Sequence, residues 1–353
     1  MTSRITTRQW RRITFTLVAV GGLAAIIILN RHILLESLRT LGHLNWWWVL
    51  AALAAEAVSL TAFGISRVIL LRANGDRATL SEVMAITYAG NALSMAVPFA
   101  GAQLAAVFSY RQLRGRGLGP AITSWALAVS AIVSSSALAL VLVVGALVGG
   151  APAATAVGFL GAAVFLVPGV SVLLALRYRA ARAWIHRAAA VLLRPLDRRL
   201  HKSWTDPAAL EGFLDRVASI SLPWPGYARV FALAAANWLA DCGCLACSIL
   251  ATGQPVPWHG LLLAYGAGAA VGSSGLSPGG FALVEIALTA SLAAAGMTAA
   301  AALAAAIAYR LISFWLILLG GGIALIVLAR RTERPAASEP APPQSAARTG
   351  ESP

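Results

Sequence analysis

Charge is what this sequence has least of. Only 11% of its 353 residues are Asp, Glu, Lys or Arg, and just 13 are acidic, too few to keep the surface of a soluble domain hydrated. Cysteine is scarce as well, with three residues in all, which excludes a disulfide framework. Cys242, Cys244 and Cys247 are spaced like part of a metal site. Yet Asp241 is the one acidic neighbour in an apolar segment, so they read as small polarizable packing residues. No metal and no cofactor is expected. Also missing is any soluble basic domain. The net charge of +14 therefore does not point to nucleic acid, because the arginines collect at the ends of apolar runs, where anionic headgroups and the positive-inside bias account for them.

What remains is apolar: 59% of the residues are hydrophobic and the mean hydropathy is +0.77. The chain reads as an all-α, polytopic transmembrane bundle, since helices satisfy their own backbone groups in lipid. Arg4, Arg8, Arg11 and Arg12 precede an apolar run from Ile13 to Leu29, read as a retained first helix starting in the cytoplasm. Trp46–Trp48 forms an aromatic belt opening a span to about Leu71. Further spans run from about Pro120 to Val148, Pro152 to Leu176, Ala228 to Ala251, and Thr298 to Ala329. Between the span ending at Leu176 and the one beginning at Ala228 lies the most basic region, Arg177 to Lys202, read either as a helix lying on anionic lipid or as a solvated cytoplasmic loop. Beyond Thr332 the Pro-, Ala- and Ser-rich tail has nothing to bury and is expected to be disordered. The domain reading is one membrane unit, residues 1–331, and a cytoplasmic tail, 332–353. Both termini are expected in the cytoplasm.

Two stretches break the pattern. In "LSEVMAITYAGNALSMAVPFAGAQLAAVFSYRQLRGRG" and "HGLLLAYGAGAAVGSSGLSPGGFALVEIALTASLAAAG", two apolar halves meet at Pro and Gly, and each is either a re-entrant hairpin or two short spans. Each has a Tyr-small-small start (Tyr88, Tyr265), a proline at the break (Pro98, Pro278), a nearby glycine, and a carboxylate-like side chain beyond (Gln103, Glu285). By parity they enter from opposite sides. Interrupted segments in corresponding places of two halves are the sequence pointer to inverted repeats whose broken helices meet at a substrate site. The Gly-rich stretch before Pro278 has no Lys-Ser/Thr ending and no preceding strand, so it reads as close helix packing and not as a phosphate loop.

Ionisable groups within spans cost roughly 2.5–3.5 kcal/mol each and persist mainly where they pair or face water. Four qualify: Glu56, Asp241, Glu285 and Arg310. Glu285 follows the Pro278-Gly279-Gly280 break, where it can cap the half-helix, hold a proton or pair with Arg310. Arg310 lies twenty positions before Arg330, roughly 30 Å along a straight helix. That places it near the outer edge of the hydrocarbon, where it can bind a lipid phosphate or snorkel. Glu56 and Asp241 sit too deep to reach water from one helix. Each is a candidate for a buried pair or a proton site.

Pro278-Gly279-Gly280-Phe281, Glu285, Gly296, Tyr309-Arg310-Leu311, Trp315 and Gly320, together with Asn91, Pro98, Gly101 and the Asn237-Trp238-to-Asp241 cluster, resemble the lysylphosphatidylglycerol synthase transmembrane-region family of flippase-like membrane proteins. The resemblance spans about Trp46 to Ala329. It implies a bacterial plasma-membrane protein that moves a lipid, anionic or lipid-linked, between leaflets. Gly101-Ala102-Gln103 departs from the Gly-Glu usual at that place in the family. The soluble aminoacyl-transfer domain of some relatives has no counterpart after the last helix, so this chain is not expected to make an aminoacylated lipid itself. The expected function is lipid translocation without catalysis. The alternative is a membrane-embedded glycosyl- or aminoacyltransferase, or a non-transporting partner of such an enzyme. A membrane lipid is the expected ligand, with a separate lipid-synthesising enzyme and a second copy of the chain as further candidate partners.

Overall fold

A computed structural model describes residues 44–75, 77–97, 100–149, 158–167, 171, 207–275 and 277–333. The expected first helix, the basic stretch 177–202, the tail from 334 and Pro98 lie outside them. Among the described residues the protein is a bundle of helices without strands. In chain order these are α1 (Trp46–Leu71), α2 (Leu80–Ala96), α3 (Gly101–Arg114), α4 (Pro120–Gly149), α5 (Gly158–Val167), α6 (Pro207–Ser219), α7 (Trp224–Ala251), α8 (Trp258–Ser273), α9 (Leu283–Ala294), α10 (Ala299–Arg310) and α11 (Ile317–Glu333). A π-helical segment, Leu311–Leu316, joins α10 to α11. Among the described residues, four stretches are long and apolar enough to cross a membrane: α1, α4, α7 and the continuous run from Ala299 to Arg330. The irregularity in that last run falls at Leu311–Leu316.

Helices α1 and α7 form the most extensive contact of the bundle, and they run antiparallel. The Asn45 N–H donates to the Ala251 carbonyl at 2.9 Å, and halfway along, the Asn237 amide donates to Ser59 at 2.7 Å. Around this central pair the neighbours of the two halves match. Helix α4 packs on α8 as α11 packs on α2, α3 packs on α4 as α9 packs on α10, and α1 meets α2 as α7 meets α8.

Each broken stretch is a helical hairpin. In α2–α3 a side chain on Gly90 would meet Ser109, and one on Gly101 would strike the Ser94 carbonyl at 2.1 Å. In α8–α9, Gly260 faces Ala295, Gly268 faces Leu288 and Gly272 faces Val284. The small residues let the arms approach closely enough for backbone dispersion contacts to hold them. The second arms, α3 and α9, have 14 and 12 residues, about 21 and 18 Å long, against a hydrocarbon core of about 30 Å.

The two ends of the bundle differ in charge. The end of α1, the end of α3, the start of α7 and the end of α11 gather through one apolar cluster that includes Leu71, Leu113, Val230 and Leu328. That end carries Arg72, Arg111, Arg114, Arg116, Arg229 and Arg330. At the other end, around Leu44 to Trp48 and Ala251 to Gly260, the described residues hold no Lys or Arg. Exposed Trp46, Trp47 and Trp258 stand there instead. Helix α6, between the basic stretch and α7, is too polar to register as a span. It packs on α4, with Val217 in the same apolar cluster.

Candidate functional site

The break in the second hairpin is a tight turn made of unusual backbone. Gly279 and Gly280 have φ of +55° and +69°, and Ala282, with φ +62°, caps α9 in the same left-handed region. Only glycine reaches these angles without cost, so the Gly-Gly pair is a geometric requirement of the turn and Ala282 stores strain beside it. Glycine is needed at 279 for a second reason. A Cβ there would lie 2.1 Å from the Phe314 ring, which presses on the turn from the π segment. The turn, opened by Pro278, packs on α2. Phe314 and Trp315 in turn form one cluster with Ala92, Met95 and Ala96 at the far end of α2. The second hairpin's tip and the end of α2 next to the first hairpin's break thus converge on the same two aromatic rings.

Beneath this turn lies an ion pair. Arg310 donates through Nε to Glu285 at 2.8 Å and through Nη2 to the Gly279 carbonyl at 2.8 Å. Its guanidinium stacks 4.3 Å from the Phe314 ring centre. Both charged residues are only 8% exposed. Arg310 is therefore enclosed by protein and paired with Glu285. Of the alternatives open for Glu285, pairing with Arg310 is the one adopted, from the first turn of α9, where the helix dipole also favours an anion. Its Oε2 is buried without a hydrogen-bond partner. Arg310 uses two of its five N–H donors.

A second polar cluster adjoins the first. Asp241 on α7 accepts from Tyr265 on α8 at 2.8 Å and from Tyr309 on α10 at 2.9 Å, and it lies within electrostatic range of Arg310. Glu56, 3% exposed, reaches from α1 to within electrostatic range of the Asp241 carboxyl, and its Oε2 is buried without a hydrogen-bond partner. Tyr88 on α2 lies within range of the Glu56 charge. The two tyrosines that open the two broken stretches thus each address one carboxyl of the central helix pair.

The remaining predicted residues lie apart from this centre. Gly101 is buried at the start of α3 and shapes the first hairpin. Asn91 is half-buried on α2, beside Ala92. Gln103 is exposed, so the position equivalent to Glu285 points away from the polar centre. Tyr265 and Tyr309 stood in the sequence motifs, but their role as donors to Asp241 left no sequence signal. Nor did the Ser59–Asn237 contact. Cys242 and Cys244 are buried among the apolar residues between α7 and its neighbours.

Residues 13–321 match the family described as the lysylphosphatidylglycerol synthase TM region, and the chain belongs to that family. It is a multi-pass membrane protein of lipid metabolism or transport. No curated protein matches the sequence.

Proposed function

From that membership and the polar centre, we propose that the protein is a lipid translocator of the plasma membrane and not an enzyme. It would pass a phosphate-bearing headgroup through the bundle while the acyl chains stay in lipid. The observation that carries this reading is the buried Glu285–Arg310 pair beneath the glycine turn. Arg310 holds free N–H donors in a fork that fits phosphate oxygens bidentately. An arriving phosphate can take the place of Glu285 at the guanidinium, so the chain's own carboxylate acts as a resident stand-in for the headgroup. The alternative of ion pairing that only locks the fold leaves those donors unused.

Two features support an alternating-access arrangement. Both hairpins have an arm too short to cross the hydrocarbon, which favours re-entrant insertion. The matched halves meet across antiparallel α1 and α7, the relation expected of inverted repeats. The arginine-rich end is the one the positive-inside rule favours for the cytoplasmic face, which supports a cytoplasmic C-terminal end of α11.

The test is headgroup accessibility in proteoliposomes carrying fluorescent phosphatidylglycerol. Wild type is expected to equilibrate the probe between leaflets, while Glu285→Gln and Arg310→Ala reduce the rate per folded molecule at least tenfold. A rate in wild-type vesicles equal to that of empty vesicles, with every phospholipid headgroup tried, overturns translocation.

A further inference from the structure

The bundle holds a second arginine within a span, and it lacks what the first one has. Arg67, half-buried on α1, stacks 4.4 Å from the Phe63 ring centre and donates through Nη1 to Thr87 on α2 at 3.2 Å. Its Nε is shut from solvent and has no acceptor. The ion pairs among the described residues are Glu82–Arg116 and Glu285–Arg310, so no carboxylate there answers Arg67. A cation within a span normally persists where it is paired or faces water, and a neutral hydroxyl with an aromatic face is a weak substitute for an anion.

Arg67 borders a partly open cavity of about 10 Å³ lined by residues of α1, α2, α3 and α4, the size of one water or one phosphoryl oxygen. The polar residues lining it are Arg67, Thr87 and Ser109, and the rest of the wall is aliphatic. The Thr87 oxygen already accepts from Arg67, which leaves its O–H to donate, and Ser109 brings a second hydroxyl. The cavity therefore offers N–H and O–H donors and has no anionic acceptor, the chemistry of an oxyanion site. Its depth points the same way. Arg67 lies four residues before the end of α1, about 6 Å along the axis, one turn from the arginine-rich end of the bundle.

We propose that Arg67, Thr87 and Ser109 form a phosphate-binding site distinct from the Glu285–Arg310 centre. One phosphoryl oxygen enters the cavity and the rest of the group stays at its mouth. The phosphate is that of a lipid in the adjoining leaflet or of a soluble phosphate. The site does not depend on translocation, and a bundle that moves no lipid can still hold it.

Arginine-¹⁵N spectra of the full chain in a phosphate-free maltoside micelle test this, because the Nε–H signals of Arg67 and Arg310 are read separately. Arg67→Lys assigns the first signal. Short-chain phosphatidylglycerol, a phosphate-free glycolipid of equal chain length and inorganic phosphate are then titrated in turn. Saturable movement of the Arg67 signal with phosphatidylglycerol alone is expected and assigns a lipid phosphate. Movement with inorganic phosphate as well keeps the site and assigns a soluble source. Equal movement with the glycolipid, or none with either phosphate, overturns the proposal. Thr87→Val, which leaves the charge in place, is expected to weaken the saturation about three- to tenfold, the loss of one hydrogen bond. Unchanged saturation in that variant also counts against the site. Arg310 movement, or its absence, bears on the translocation reading alone.

Discussion

The two hairpins use the same backbone device for different ends. In α2–α3 the arms close on Gly90 and Gly101, and the position beyond the break, Gln103, is exposed. In α8–α9 they close on Gly260, Gly268 and Gly272, and the position beyond the break, Glu285, is buried on Arg310. The shared feature is steric: small residues bring two short helices together and leave a break that protein must cover. The feature not shared is electrostatic. Only the second hairpin carries its charge inward, so the matching architecture of the two halves does not extend to matching chemistry.

The largest expected effect strikes that difference. Arg310→Ala strands Glu285 as a buried, unpaired charge and is expected to cost about 3–5 kcal/mol, seen as a lower unfolding temperature in detergent. The double change Arg310→Ala with Glu285→Leu is expected to recover most of it, and no recovery would mean that the pair is not what the second hairpin relies on. Next comes Gly279→Ala, which places a methyl into Phe314 at a left-handed backbone position. A loss of about 2–4 kcal/mol is expected from overpacking and strain together. The equivalent insult to the first hairpin, Gly101→Ala, meets the Ser94 carbonyl without a positive φ, and about 1–3 kcal/mol is expected. Equal losses by thermal unfolding would show that the turn strain at 279 contributes little. The smallest effect belongs to Gln103→Glu, which restores a carboxylate at the exposed position. It should change stability by no more than about 0.5 kcal/mol. A larger change would show that residue 103 faces a charged partner, which would make the hairpins chemically alike after all.

Much of the scaffold was legible because hydropathy and punctuation act locally. The span opened by Trp46–Trp48 ends at Leu71 as expected, the helix begun at Pro120 runs to Gly149, and the Pro-Gly breaks fall between helices. Helix α6 escaped notice because a short amphipathic segment has neither the length nor the hydropathy of a span. The four charges within the spans were found individually, since any ionisable group in an apolar run stands out. Their partners were not found, because Glu56 and Asp241 lie on helices that are distant in sequence and meet only when α1 and α7 pack. Arg67 stands near the end of its span, where an arginine attracts no notice, and the missing acceptor of its Nε became visible only once four helices packed around it.

The sequence by itself determined a membrane bundle, the positions of its breaks and which residues carry charge into it, because apolar length, proline and glycine act along the chain. The tertiary structure decided which charges neutralise one another, which stay unanswered and which of two similar hairpins holds the polar centre. Pairing energies depend on a few ångströms across helices, and no single stretch of chain encodes that distance.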